Sequence, residues 1–498
     1  WKVRATRAQA RGSFDSTWSN QLDLAIAALA RHRHALHDAA AKLQLMAAQE
    51  RLFDLALDIT FQSRTTVGEE AMAERFLALC EAQRSTLLKE RLNAFKGVRF
   101  AGVPDTVLAH EQELLAALEI DPDDPTSPAM AMMQEQAYAA FLQRLQHAYP
   151  AYFDLRYGEP TITLAQVRTR LLKQGRALVS FALVDSALYT VVVTMDTARV
   201  VRASSAGLAA EVNNLNKAIE VRSTSDYFAR AYHLYQRLLA PVLTGLQADE
   251  LLLVPDGPLH QLSFDALLIA PSDAASYVGH VLLQRHATAY LLSATTAVQF
   301  ADLARNCRTA TLALAPGFTP EVKQHYIAQV KDSTDLDQHF LAYVRQPFAM
   351  RTAQRLGSLL SARVHVGEEA SEGRFRREAS AYGILHLGTH AEMNATDPMY
   401  ARLVFSKDGS GVDPDADGYL HAYEIYELDL RAQLAVLTAC ETGAGRSDGE
   451  GVRSIGYGFA YAGCPSLVMA LWNIDQKVSV EIITCFYEYL ADGLPKHE

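Results

Sequence analysis

The feature that most constrains this chain is a change of hydrophobic pattern at Pro160. After it, short continuous apolar runs rich in β-branched residues alternate with helical patterns. The runs cover residues 177–183, 188–194, 251–254, 311–315, 363–366, 384–387, 402–405, 434–437 and 466–471. Continuous rather than alternating hydrophobicity is typical of strands that are covered on both faces, which is the α/β arrangement. The pattern therefore predicts an α/β fold, with reactive side chains expected at the carboxyl ends of strands.

Before Pro160 the pattern is helical throughout. Apolar residues follow one another at steps of three and four, interrupted only by Arg33, in the series Leu22, Ile26, Leu29, Leu36, Ala40, Leu43 and Ala47. This series predicts one long amphipathic helix. Further helices are predicted at 52–61, 69–95, 105–120 and 130–149, and such pairs resemble the end of a helical repeat array. Because the chain starts inside this pattern and stops abruptly at Glu498, we expect a piece of a longer protein.

Length and charge exclude some classes of protein. The 498 residues exceed what one hydrophobic core serves, so two or three packed units are expected. With 57 acidic and 46 basic side chains the net charge is −11, which argues against a nucleic-acid binder. The five cysteines (Cys80, Cys307, Cys440, Cys464 and Cys485) form neither a disulfide framework nor a CxxC metal pattern, which favours a reducing compartment.

Residues 1–10 do not have the pattern of a signal peptide. The uncharged stretch 454–474 is about long enough to span a bilayer, but its glycines and Cys464-Pro465 predict a buried helix, a turn and a strand. We therefore expect a cytoplasmic protein without a membrane partner and without direct nucleic-acid contact.

Two strand ends carry groups suited to thiol chemistry. His390 lies just beyond the run 384–387, and Cys440 lies just beyond the run 434–437. If these strands are parallel neighbours, both side chains project from the same edge of the sheet. A thiolate is a strong nucleophile, and an adjacent imidazole can activate it and then protonate a leaving amine. From spacing alone, packed core residues are the commoner explanation.

The segments around these residues resemble a known family. His390 within Leu387-Gly-Thr-His-Ala391, Cys440 within Leu437-Thr-Ala-Cys-Glu-Thr-Gly443, and the segments 449–451 and 470–475 are similar to the CHAT family of caspase-like cysteine peptidases. Segments 253–267 and 418–425 add to the likeness.

The resemblance implies an α/β caspase-hemoglobinase-like fold, related to separase, with two α/β lobes of which the first is inactive. An all-α region resembling tetratricopeptide repeats is expected to precede it. The expected units are a helical region at 1–158, a first lobe at 159–305 and an active lobe with the dyad at 306–498.

The same resemblance implies a role for each residue. Cys440 is expected to be the nucleophile and His390 the general acid and base. The backbone N–H groups of Cys440 and Ala391 are the expected oxyanion donors. His386 is expected to be a buried structural histidine, and Cys464, like Cys80, Cys307 and Cys485, to be a packed residue.

Substrate preference is predicted from the segment after the last strand. Trp472 and Asp475 are expected to line the pocket for the residue preceding the scissile bond, because separase has a similar Leu-Trp segment and accepts arginine there. An acidic pocket would favour Arg or Lys. Asp475 is equally well explained as the cap of a following helix.

Two further motifs suggest ligands without predicting them. The loop 443–451 is glycine-rich, but it lacks the Lys-Ser/Thr of a phosphate-binding loop and is better explained as a mobile loop at the substrate site. Asp413, Asp415, Asp417 and Glu424 match the spacing of a calcium loop, although Pro414 and the absence of a preceding helix speak against calcium. We expect neither a metal nor a cofactor.

The sequence thus predicts a cysteine endopeptidase that cuts a specific protein substrate. Family likeness implies control by a regulatory protein or ribonucleoprotein that docks on the helical region, in bacterial defence. One alternative is a catalytically silent caspase-like scaffold for protein interaction. Another is a different thiol chemistry, such as acyl transfer.

Overall fold

The computed structural model describes residues 16–36, 39–97, 103–117, 127–157, 162–302, 310–330, 332, 334, 336–394, 397–407, 416–439, 446–448, 451–472 and 475–496. Within these ranges, none of the helices combines the length and the hydropathy that crossing a bilayer demands.

The region before Pro160 is helical, as its periodicity predicts. Its helices are α1 Ser16–Ala35, α2 Ala39–Gln62, α3 Arg64–Val67, α4 Glu69–Gln83, α5 Thr86–Gly97, α6 Asp105–Ala117, α7 Ser127–Ala148 and α8 Pro150–Tyr157.

The prediction of one long helix over residues 22–47 was wrong, because α1 ends at Ala35 and α2 begins at Ala39. Arg33, which interrupts the apolar series, is only 4% exposed. Its guanidinium lies 3.6 Å from the sulfur of Met46 and 3.7 Å from the carboxylate of Glu90. The chain folds back, so that apolar side chains of α1 and α2 form one core cluster with each other.

After Pro160, a mixed sheet of five described strands has the order β3-β2-β1-β4-β5. These strands are β1 Arg176–Val184, β2 Ala187–Val193, β3 Ala198–Ser204, β4 Glu250–Val254 and β5 Ala287–Tyr290. The accompanying helices are α9 Leu164–Arg170, α10 Leu208–Glu220, α11 Thr224–Leu238, α12 Ala240–Leu243 and α13 Ala294–Asp302. One face of the sheet packs on α10 and α11, and the other packs on α2 and α4 of the helical region.

A second sheet is parallel throughout its described strands and has the order β15-β12-β8-β6-β7. These strands are β6 Thr311–Ala315, β7 Arg363–Val366, β8 Ile384–Leu387, β12 Leu434–Leu437 and β15 Leu467–Val468. Strand β15 is shorter than the run 466–471 that predicted it. Helices α14 Pro320–Gln329, α15 Gln338–Ala342, α16 Pro347–Leu359, α17 Glu372–Glu378, α18 Ala422–Glu427, α19 Ile455–Tyr461 and α20 Gln476–Ala491 belong to this half.

Helices α16 and α20 cover one face of the second sheet, and α17, α18 and α19 cover the other. Its central strands β6, β8 and β12 are therefore buried on both sides, which explains their continuous apolar runs. Two smaller sheets adjoin it: β11-β10-β9, built from β9 His390–Glu392, β10 Arg402–Val404 and β11 Tyr419–His421, and the hairpin of β13 Arg446–Asp448 and β14 Gly451–Arg453.

Candidate active site

The two strands that precede the candidate dyad are parallel neighbours. Leu387 at the end of β8 is level with Leu437 at the end of β12, and the N–H of Thr438 donates to the Leu387 carbonyl at 3.0 Å. His390 and Cys440 each follow the end of their strand by three residues. The two strands are parallel neighbours, as the expected approach of His390 and Cys440 requires. Cys440 itself lies outside the described residues.

His390 is also the first residue of β9, which pairs with β10. The N–H of Phe405 donates to the carbonyl of Gly418, and the carbonyl of Ala401 accepts from the N–H of Ala422. In and around β10, the odd-numbered residues therefore direct their backbone groups towards β11. Even-numbered residues of β10 therefore bond to His390 and Glu392, and the backbone groups of Ala391 between them point away from β10. The N–H of Ala391 is therefore not used in the β9–β10 pairing, and its role as an oxyanion donor stays a prediction.

Both ring nitrogens of His390 have hydrogen-bond partners on one loop. Nε2 lies 2.9 Å from the carbonyl oxygen of Val344, and Nδ1 lies 3.1 Å from the side-chain nitrogen of Gln346. The imidazole stacks on the ring of Tyr343 at a centroid distance of 5.2 Å and touches Phe318 at 4.9 Å. Burial lowers the pKa of His390; the Val344 carbonyl and Glu392 act in the opposite direction, while Lys323 lowers the pKa further.

We call residues 343–346, between α15 and α16, the strap. Lys323 of α14 donates to the carbonyls of Leu341 and Tyr343, both at 2.7 Å. At the far end of the strap, the N–H of Gln346 donates to Gly317 at 2.9 Å, and Pro347 then starts α16. These bonds fix the strap over the imidazole.

Glu392 connects the strap to the β9–β10 pair. Its carboxylate accepts hydrogen bonds from the hydroxyl of Tyr343 and from His339, and it pairs with Arg402 at 2.8 Å. The Arg402 guanidinium lies over the Tyr419 ring, 3.8 Å from its centroid. The ring that stacks on His390 is thus held by an ionic network.

The comparison with protein families decides where this chain belongs. The model of the CHAT domain matches residues 229–498, more than half of the chain. The chain belongs to the CHAT domain family. This family is part of the caspase-like cysteine peptidase superfamily. No curated protein matches the chain.

The CHAT match starts inside α11, so it covers β4, β5 and the whole second sheet but not β1 to β3. The helical region lies before the match, and its likeness to tetratricopeptide repeats stays a prediction. The proposed domain limits also stay predictions.

The cysteines of the CHAT protein differ in their surroundings. Cys464 is fully buried, with its sulfur 3.4 Å from the Ser466 carbonyl, as expected of a core residue. Burial raises the pKa of the Cys80 thiol to about 12, which leaves it unreactive at neutral pH. Cys485 was predicted to be packed but is exposed on α20. Cys307 lies outside the described residues.

Asp475 caps α20. Its Oδ1 accepts hydrogen bonds from the N–H groups of Lys477 at 3.0 Å and Val478 at 3.2 Å. Its Oδ2 lies 3.5 Å from the guanidinium of Arg222. The capping role, one of the two that the sequence left open, is present, and the pocket role stays a prediction. Trp472 is half-buried before the helix.

The last carboxylate of the segment that matches calcium-loop spacing, Glu424, has protein partners. One oxygen of Glu424 pairs with Arg376 at 2.9 Å, and the other accepts from the N–H of His421 at 2.7 Å. Asp417 accepts from the N–H of Tyr419 at 2.8 Å. Asp413 and Asp415 lie outside the described residues. Within the described part of the chain, no cluster of His, Cys, Asp and Glu has the composition of a metal site.

Sequence reasoning missed the strap. Its contacts with His390 come from residues 44 and 46 positions earlier in the chain, and no motif surrounds them. The only local signal is Pro347, which marks a helix start directly after Gln346.

Proposed function

We propose that the chain is a cysteine endopeptidase that uses His390 and Cys440 to hydrolyse peptide bonds in a protein substrate. The observation that carries the proposal is the parallel pairing of β8 with β12, with Leu387 level with Leu437. Reactive groups of parallel α/β sheets lie beyond the carboxyl ends of the strands. The two motifs, around His390 and around Cys440, therefore both begin at the same edge of the second sheet.

The hydrogen bonds around His390 select one tautomer of the neutral imidazole. A carbonyl oxygen can only accept, so the Val344 bond places the proton on Nε2 and leaves Nδ1 as the base. The proposed first step moves the thiol proton of Cys440 to Nδ1 while sulfur attacks the carbonyl carbon. The N–H groups of Ala391 and Cys440 are the proposed donors to the resulting oxyanion.

Collapse of this intermediate breaks the C–N bond, and the imidazolium gives its proton to the leaving amine. A thioester remains on Cys440. Water then attacks it, His390 accepts the water proton and returns a proton to sulfur, and the carboxylic acid product leaves. The bonds of Val344 and the stacked Tyr343 ring hold the imidazole in place for both half-reactions.

The finer parts of the proposal rest on family likeness and on Asp475. The preferred residue before the scissile bond is Arg or Lys, with Trp472 as an apolar wall. Asp475 Oδ2 already lies 3.5 Å from the guanidinium of Arg222, so a basic side chain of the substrate would replace Arg222 at that carboxylate. A regulatory protein or ribonucleoprotein docks on the helical region, and the protein acts in the cytoplasm in bacterial defence.

Labelling with a peptidyl electrophile, combined with peptide hydrolysis assays, tests the proposal. We expect wild-type protein and the exposed control Cys485→Ser to label and cleave, and Cys440→Ala and His390→Ala to lose cleavage while keeping their melting temperatures. Because the dyad acts as a unit, each single loss should remove nearly all activity. Wild-type protein that never labels favours the scaffold. Transfer to an added amine in preference to water favours acyl transfer.

A further inference from the structure

The side-chain amide of Gln346 is hydrogen-bonded to Nδ1 of His390, the nitrogen that acts as the base in the proposed reaction. Each imidazole nitrogen forms one hydrogen bond in the plane of the ring. The Val344 carbonyl takes the bond of Nε2, so Nδ1 carries the lone pair and Gln346 must offer it an amide N–H, at 3.1 Å. With both bonds in place, neither nitrogen can accept a proton from a thiol.

The Gln346 side chain is built into this position. The residue is only 7% exposed, and its own N–H is tied to Gly317 at 2.9 Å. Its side-chain oxygen, however, is buried without a hydrogen-bond partner among the described residues. A buried acceptor without a donor is unfavourable. A rearrangement of the amide that gives this oxygen a donor would therefore offset part of the cost of breaking the bond to His390.

We infer that Gln346 is a positioning residue of the candidate dyad, which holds Nδ1 of His390 as an acceptor and must release it before a thiol can use it. The inference rests on the proposed function for the identity of the thiol, Cys440. The contact between the amide and the imidazole does not depend on that function.

The contact has a predictable electrostatic sign. An amide N–H stabilises only the neutral imidazole, so it lowers the pKa of His390. Among the described residues, the charged or titratable groups that face the ring from neighbouring elements are Glu392 of β9, Lys323 of α14 and Tyr343 of the strap. None of them changes when Gln346 is replaced. Removal of the amide should therefore raise the pKa of His390.

The test uses the full chain with Gln346→Leu, which keeps the bulk of the side chain without its hydrogen bond. The matched control is Arg345→Ala, which removes the exposed neighbour on the same strap. Histidine-labelled protein gives the pKa of His390 by NMR, with the signal assigned by its loss in His390→Ala. We expect a rise of about half a unit to one unit in Gln346→Leu, the size of one neutral hydrogen bond, and none in Arg345→Ala.

The second measurement is the rate of alkylation of Cys440 by iodoacetamide at neutral pH, followed by mass spectrometry of its peptide. A free Nδ1 can accept the thiol proton, and the resulting imidazolium stabilises the thiolate, so we expect a several-fold faster rate in Gln346→Leu and no change in the control. If Gln346→Leu does not fold, Gln346→Glu replaces it, and its carboxylate should raise the His390 pKa further.

An unchanged pKa, or an equal or slower alkylation, overturns the inference. Both shifts in a protein that never cleaves peptides would sustain the role of Gln346 and refute the peptidase. If wild-type protein cleaves peptides but the variants change neither the pKa of His390 nor the alkylation rate of Cys440, the peptidase is supported and the role of Gln346 is refuted.

Discussion

Two histidines four residues apart show how burial decides the chemistry of a residue. His386 lies within β8, fully buried, with Nδ1 3.2 Å from the hydroxyl of Tyr487 on α20. Burial lowers its pKa to about 4, so it is neutral at physiological pH. His390 lies beyond the strand end, where a carbonyl and an amide orient it. The structural role expected of His386 agrees with its complete burial.

The buried His386 should make stability depend on pH. Because its pKa is about 4 in the folded protein and near 6.5 when unfolded, the unfolded chain binds more protons between these values. Stability is therefore lost as the pH falls through this window, by about 2 kcal/mol at pH 5 relative to pH 8. We expect a shallower fall in His386→Gln, measured by urea unfolding at both pH values. The exposed His147→Gln is the control, and equal slopes in all three proteins would refute the assignment.

At the scale of elements, the carboxylate that caps α20 is also the one proposed for the substrate pocket. Asp475 Oδ1 binds the free N–H groups of the first turn, and Oδ2 is directed to Arg222. A helix cap needs a side-chain acceptor but no charge, whereas a pocket for a basic residue needs the charge. The two roles can therefore be separated by substitution.

Asp475→Ala should remove both roles, and Asp475→Ser should remove only the charge. We expect Asp475→Ala to lower the free energy of unfolding by about 1 kcal/mol and Asp475→Ser to stay close to wild type. If Asp475 lines the pocket, both variants lose the preference for Arg or Lys in a peptide library. An unchanged preference would restrict Asp475 to the cap, and a wild-type preference for apolar or acidic residues would exclude the acidic pocket.

At the scale of the whole molecule, a buried arginine connects the helical region to the hairpin β13–β14. Arg84, between α4 and α5, donates to the Ser180 hydroxyl of β1 at 2.8 Å and to the Phe181 carbonyl, and it lies 3.7 Å from Asp256. Asp256 caps the turn Gly257–Gln261. This turn packs against the hairpin β13–β14, which follows Cys440 in the chain.

Arg84→Ala should therefore lower the stability of the protein and also loosen the hairpin β13–β14. It leaves Asp256 without its cation, and we expect a loss of about 3 kcal/mol in the free energy of unfolding. We also expect faster amide hydrogen exchange in residues 446–453. The control Arg355→Ala breaks a surface pair with Glu488, which should cost less than about 1 kcal/mol and leave the hairpin unchanged. Wild-type exchange in the hairpin of Arg84→Ala would show that the two regions are not coupled.

The sequence by itself determined those features that depend on neighbours along the chain. Apolar runs marked β1, β2, β4, β6, β7, β8, β10 and β12, and a polar residue before an apolar helix marked the cap at Asp475. The positions of His390 and Cys440 after their strands followed from the same runs. Short partly exposed strands such as β5, β9 and β11 escaped, because three or four residues of mixed polarity have no clear period.

Only the tertiary structure decided which elements and side chains are in contact with one another. Periodicity shows which face of an element is buried but not its partner, so neither the pairing of β8 with β12 nor the packing of α1 on α2 could be derived from the sequence. The strap is the clearest case. Val344 and Gln346 reach His390 from more than 40 residues away, through one backbone carbonyl and one amide. A backbone carbonyl is present at every residue, so only the fold can select the one that orients an imidazole.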